Sequence, residues 1–158
     1  MLSLVEQGYA LGQTGQLERR LTELTALLVH EHRLIEELRQ ALLRQRAGVA
    51  TDDAEVIDAS VGAVARTLLT IDAARRCRTG VVAEITGDAE TPLADLERRL
   101  RRSLPAPLAQ AREQVRRAAD RAAREVAINQ HILRRVLEEG DAFLQRLFSS
   151  KEADTCSY

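Results

Sequence analysis

From Leu17 onward, Leu17, Leu21, Leu24, Leu28, Glu31, Ile35, Leu38 and Leu42 follow one another at alternating steps of four and three. That rhythm keeps one stripe of a helix on one side and makes a heptad seam. Leu27 and Leu34 widen the stripe to the face of a bundle helix. The pattern predicts a first helix over 17–46, ending at Ala47-Gly48, where glycine can take a left-handed terminal position. Thr51-Asp52-Asp53-Ala54-Glu55 then offers a side-chain cap and acids for the start of the next helix. That second helix, over 53–86, repeats the rhythm through Ile57, Val61, Val64, Leu68, Ile71, Arg75, Arg78, Val82 and Ile85. A connection this short makes the two helices antiparallel neighbours.

Gly87-Asp88 ends the hairpin, and Thr91-Pro92 opens a short helix over 92–103 carrying Leu93, Leu96 and Leu100. Beyond Pro105 and Pro107 the period returns through Leu108, Ala111, Val115, Ala118, Ala122, Glu125, Asn129, Ile132 and Val136, then Phe143 and Leu147. This predicts the longest helix, over 107–148. At the helical rise it spans roughly 60 Å against about 45 Å for the first helix. With a disordered leader, its far end overhangs the hairpin. The predicted fold is all-α: an antiparallel helical hairpin plus a long C-terminal helix, in an up-down, coiled-coil-like bundle. Residues 17–148 form its single domain. Residues 1–16, with Gly8, Gly12 and Gly15, read as a flexible leader, and the polar 149–158 as a disordered tail.

Composition narrows the function. The 158 residues suit one domain, and 3% aromatic content argues against a β-sandwich or barrel. A net charge of −1 supplies no overall field toward nucleic acid or an anionic membrane. No secretory signal or membrane-length apolar run is visible, so a cytoplasmic location without membrane insertion is expected. Cys77 and Cys156 form no CxxC pair, and a disulfide framework has no support. His30 and His32 point to opposite sides of a helix, and HExxH is absent, so no metal site is expected. Without a phosphate loop, a dinucleotide fingerprint or a nucleophile elbow, no catalytic residue and no cofactor are assigned. The chain does not read as an enzyme.

Five polar residues interrupt the seams: Glu31, Arg75, Arg78, Glu125 and Asn129. A buried charge needs partners, so these residues are expected to pair across helices and fix their register. A groove for a partner's polar groups is the rival reading. Between Arg98 and Arg124 lie nine arginines against only Glu113 and Asp120. The stretch contains no aromatic residue for base stacking, and the acid-rich segment just before it offers a counterweight, so nucleic acid is not an expected partner.

Small alanines at 118, 119, 122, 123 and 127 give way to a bulky apolar end on the last helix. The candidate partner-binding residues are Ile132, Leu133, Val136, Leu137, Phe143, Leu144 and Leu147, because an overhanging apolar face lacks a neighbour within the hairpin.

Three motifs together resemble the FlgN family of flagellar export chaperones. Leu24, Leu27, Leu28 and Glu31 are similar to that family's L-x-x-L-L-x-x-E, followed by Leu38 and Leu42. Leu68, Leu69, Ile71, Asp72 and Arg75 or Arg76, ahead of Val81-Val82, resemble its L-x-x-L-D/E-x-x-R-x-x-L stretch. Asn129, Ile132 and Leu133 look like its N-x-x-L-L. The resemblance implies a cytoplasmic chaperone for type III export that binds C-terminal helical segments of hook-associated, hook–filament junction proteins. It would prevent their premature assembly and deliver them to the flagellar export apparatus. The alternative is a non-enzymatic coiled-coil scaffold or homodimerisation module.

Overall fold

The computed structural model describes the backbone of residues 4–155 and the side chains of residues 14–146. It contains α1 (Leu4–Thr51), α2 (Ala54–Thr86), α3 (Leu96–Leu100) and α4 (Ala106–Thr155), with a 3₁₀ turn at Leu93–Asp95 leading into α3. No strand occurs among the described residues. The fold is an all-α bundle in which α1 is the shared partner: α2 and α4 each pack along it and not along each other.

Ion pairs and hydrogen bonds give the directions. Arg20 meets Glu84, and Glu31 meets Arg75 and Arg78, so α2 descends as α1 rises. Arg102 reaches Glu18, Arg121 reaches Glu36, and Asn129 reaches Leu42 and Gln45, so α4 rises beside α1 in parallel. The core follows the heptad stripe. Leu21, Leu24, Leu28, Leu34, Ile35, Leu38 and Leu42 of α1 are buried against Ile71, Ala74, Val81 and Val82 of α2, and against Leu108, Ala111, Val115, Ala118 and Ala122 of α4. Alanine on α4 lets its backbone approach α1 closely, which suits tight helix packing.

At the lower end the segment from Leu93 to Leu104 closes the bundle. Leu96 and Leu104 are buried, and Arg112 of α4 donates to the Leu93 carbonyl at 3.3 Å. Gly87, at φ 77°, takes the left-handed position that ends α2. Thr91 does not cap the following turn; its hydroxyl meets that of Thr86 at 3.2 Å, and Pro92 occupies the extended residue before the turn. The predicted single helix over 92–103 is therefore a 3₁₀ turn followed by five α-helical residues.

Three boundaries differ from the sequence reading. Helix α1 starts at Leu4, so the segment predicted as a flexible leader is helical from there. Each glycine costs a helix only about 1 kcal/mol, and extending a helix that the bundle has already nucleated is easy. Helix α1 also runs past Ala47-Gly48 to Thr51. Gly48 is buried where α2 begins, and a Cβ there would lie 3.0 Å from side-chain carbons of both Val56 and Ile57. Its role is close approach of two helices, not a left-handed stop. The turn falls instead at Asp52, φ 52°, and the Asp53 carboxylate accepts from the Val56 N–H at 3.1 Å to cap α2. Finally, the backbone of α4 stays helical through 149–155, where the sequence reading placed a disordered tail. Residues 1–3 and 156–158 lie outside the described residues.

Candidate partner-binding surface

The register between α1 and α4 places Thr51, the last residue of α1, level with about Val136. Helix α4 then continues for about twenty residues, roughly 30 Å at the helical rise. On this extension Val136 is 49% exposed, Leu137 69%, Phe143 56% and Leu144 50%. Ile132 and Leu133, just inside the bundle end, are half-buried. The Leu147 side chain lies outside the described residues. The residues predicted to bind a partner thus divide at the end of α1: two are partly covered by the bundle, and four form an uncovered apolar stripe.

A second apolar surface leads into this stripe. Val61, Leu68, Arg75 and Val82 lie seven residues apart on one edge of α2. Arg75 reaches Glu31, whereas Ala63 and Thr67 line the opposite edge with Arg33, Gln40 and Arg44 of α1. The edge bearing Val61 and Leu68 therefore faces the side of α1 that α4 also approaches. On α4 the matching edge carries Ala119, Val126 and Leu133, all half-buried. Because α2 and α4 do not pack on each other, these edges form the walls of a trough with α1 as its floor. The Leu93–Leu104 segment closes one end, and the α4 extension continues the α4 wall past the other. The sequence pattern placed Val61 and Leu68 on the buried seam, but both remain about half-exposed. Periodicity marks the face; coverage depends on a neighbour being present opposite it.

Two polar layers hold the walls to the floor. Glu31 is only 2% exposed and lies between two arginines of α2, with Arg78 Nε 3.0 Å from Oε2 and Arg75 Nε 3.5 Å from Oε1. The Arg78 N–H is not aimed at the carboxylate, so Oε2 and Nε pair as charges without an aligned hydrogen bond. The other layer sits where α4 is about to leave α1. Asn129 is buried and donates to the Leu42 carbonyl at 2.7 Å and to Gln45 Oε1 at 3.0 Å. Arg46 Nε donates to Asn129 Oδ1 at 3.1 Å, and its guanidinium also pairs with Glu125. Sequence reasoning singled out Glu125 and Asn129 but missed Gln45 and Arg46. Their signal was spacing: both lie one heptad beyond Leu38 and Arg39, on the edge of α1 that meets α4.

The arginine-rich segment is largely engaged in ion pairs. Arg99 meets Asp88 at 3.0 Å, Arg98 meets Asp95 at 3.0 Å, and Arg102 meets Glu18 at 2.8 Å. Hydrogen bonds from Arg116 and Arg117 hold the Glu113 carboxyl down to about 2. Hydrogen bonds from Arg121 and Arg39 likewise lower Glu36, which ties α4 to α1. Among the described residues no three His, Cys, Asp or Glu side chains cluster as a metal site would require, and no helix is long and apolar enough to cross a membrane.

Set beside known proteins, the chain matches no protein-family model, no curated protein and no solved structure.

Proposed function

We propose that the protein is a non-enzymatic helix-capture chaperone that receives an amphipathic segment of a client on the exposed α4 stripe. The observation that carries this reading is the cantilever: Val136, Leu137, Phe143 and Leu144 stand uncovered on a helix whose root is pinned by the Asn129 layer. A rigid helix offering an apolar face is one half of a helix-in-groove contact, and the trough can supply the rest. Each apolar side chain buried by the client contributes about 1.5–3 kcal/mol. The client's loss of conformational freedom offsets part of that gain and keeps binding reversible.

Together with the resemblance of the three motifs to FlgN proteins, this favours a cytoplasmic chaperone of flagellar type III export. Its clients would be the C-terminal helical segments of hook–filament junction proteins, kept unassembled until the export apparatus takes them. Calorimetric titration of the full chain with the C-terminal segment of such a protein tests the assignment. Saturable binding at micromolar or lower concentration with a negative heat-capacity change is expected. Absence of binding would leave the surface without this client.

A further inference from the structure

We propose that two copies of the chain associate end to end, each α4 extension lying in the other's trough, so that every half of the dimer becomes a four-helix bundle. The trough occupies the place a fourth helix would take beside α2 and α4, diagonal to α1. It runs from the level of Glu31, above the Leu93–Leu104 segment, to the end of α1. That is about twenty residues of helix, roughly 30 Å, the same length as the extension beyond Val136. A dyad at the bundle end carries the extension of one copy straight along the body of the other. There it runs antiparallel to the host's α4 and α1 and parallel to its α2.

Charge selects the register. With the dyad between residues 137 and 138, Leu137 packs near its own counterpart, and Arg134 of each copy faces Asp141 of the other. Arg134 and Asp141 lie on the same flank of the helix, seven residues apart, and antiparallel helices related by a dyad bring like flanks together. Leu144 and Phe143 then reach the level of His131 and Ile132, within about a turn of the half-exposed Val61 of α2. Moving the dyad to Gly140 would set Arg134 against Arg146 and Glu139 against Asp141. That register places like charges opposite each other throughout, which costs association. A closed two-fold contact of this kind uses up both extensions and leaves no end free to propagate.

The dimer uses the same apolar face as the proposed client site, so it rests on that face being a docking surface, and client and second copy compete for it. Sedimentation of the full chain without client reads the dimer alone, and titration with client reads capture alone. A wild-type monomer that captures client overturns only the dimer. A dimer that never takes client overturns only the chaperone reading.

The expected result is a monomer–dimer equilibrium. Val61→Glu in the trough wall and Leu137→Asp at the dyad should each weaken it about tenfold or more, with helical content unchanged. Arg134→Asp should also weaken it, and adding Asp141→Arg should restore it. A wild-type monomer at every concentration, a dimer indifferent to Val61→Glu, or a double variant no tighter than Arg134→Asp alone would overturn the proposal.

Discussion

The two halves of α4 carry the same heptad rhythm and behave differently. From Leu108 to Asn129 the stripe is small and alanine-rich, buried against α1 and bolted to it by Arg121–Glu36 and by the Arg46, Glu125 and Asn129 cluster. From Val136 onward the stripe is bulkier and more apolar, yet it stands exposed. The larger apolar payload thus lies where it contributes least to folding. Apolar side chains left in water at a fixed helical spacing mark a surface meant to be covered by something else.

Substitutions separate the packed body of the bundle from the extension, and the largest effect should come from the body, at the layer that joins α2 to α1. Removing both Arg75 and Arg78 by alanine substitution leaves Glu31 buried without a counter-charge, and urea denaturation should show a loss of about 3–5 kcal/mol. Leu137→Asp, on the exposed half, should stay within about 0.5 kcal/mol in the same assay at a concentration where the chain is monomeric. Comparable losses at both sites would mean that the extension is part of the fold's core.

At the border between the halves, Asn129→Ala leaves the Arg46 side chain without one of its acceptors and two acceptors of α1 without their donor. Because the Leu42 carbonyl and Gln45 Oε1 of α1 lose the Asn129 amide that donates to them, a loss of about 1–3 kcal/mol is expected. Amide exchange should speed up first in the α4 turns around residue 129, the root of the extension. Gly140 sharpens the comparison from the other side. Nothing lies within 4 Å of where its Cβ would be, so Gly140→Ala should stabilise the extension by about 0.5–1 kcal/mol, read as higher helical content near the thermal transition.

The smallest expected effect is that of pH on the α1–α4 tie. Hydrogen bonds from Arg121 and Arg39 lower the Glu36 carboxyl below its ordinary 4.5. Its contribution is therefore fully present above that value and is lost as acid takes the pH down through the lowered one. Glu36→Gln should flatten that part of the stability profile below about pH 4.5 and leave the neutral range with its pH dependence unchanged. A profile unaltered by the substitution would show that another carboxylate governs the acid limb.

Much of this architecture was legible in the residues. The four-three alternation located three long helices, and the short connection at Asp52-Asp53 dictated a hairpin. The overhang was read from a difference in helix length that the structure does not show, since α1 and α4 have 48 and 50 residues; it comes instead from their stagger. The polar seam positions marked Glu31, Arg75, Arg78, Glu125 and Asn129 as residues needing partners, but not which partners. What stayed hidden depends on relations between helices. Gly48 looked like a stop signal because its local chemistry suits one, and only the proximity of Val56 and Ile57 reveals a packing role. Val61 and Leu68 share the spacing of buried Ile71 and Val82, and their exposure follows from the absence of a fourth helix opposite them. The ends of α1 and α4 extend past the periodic stretch because a helix once nucleated propagates through residues of ordinary propensity.

The proposed chaperone role requires the α4 extension to serve docking and not folding. The most direct test combines Val136→Asp and Phe143→Asp in the full chain, then follows thermal unfolding and calorimetric titration with the client segment on the same sample. For such a docking role, measured where the unsubstituted protein is monomeric, the expected result is an unfolding midpoint close to that protein's and client binding lost. A collapsed midpoint, or client binding at full strength, would contradict it.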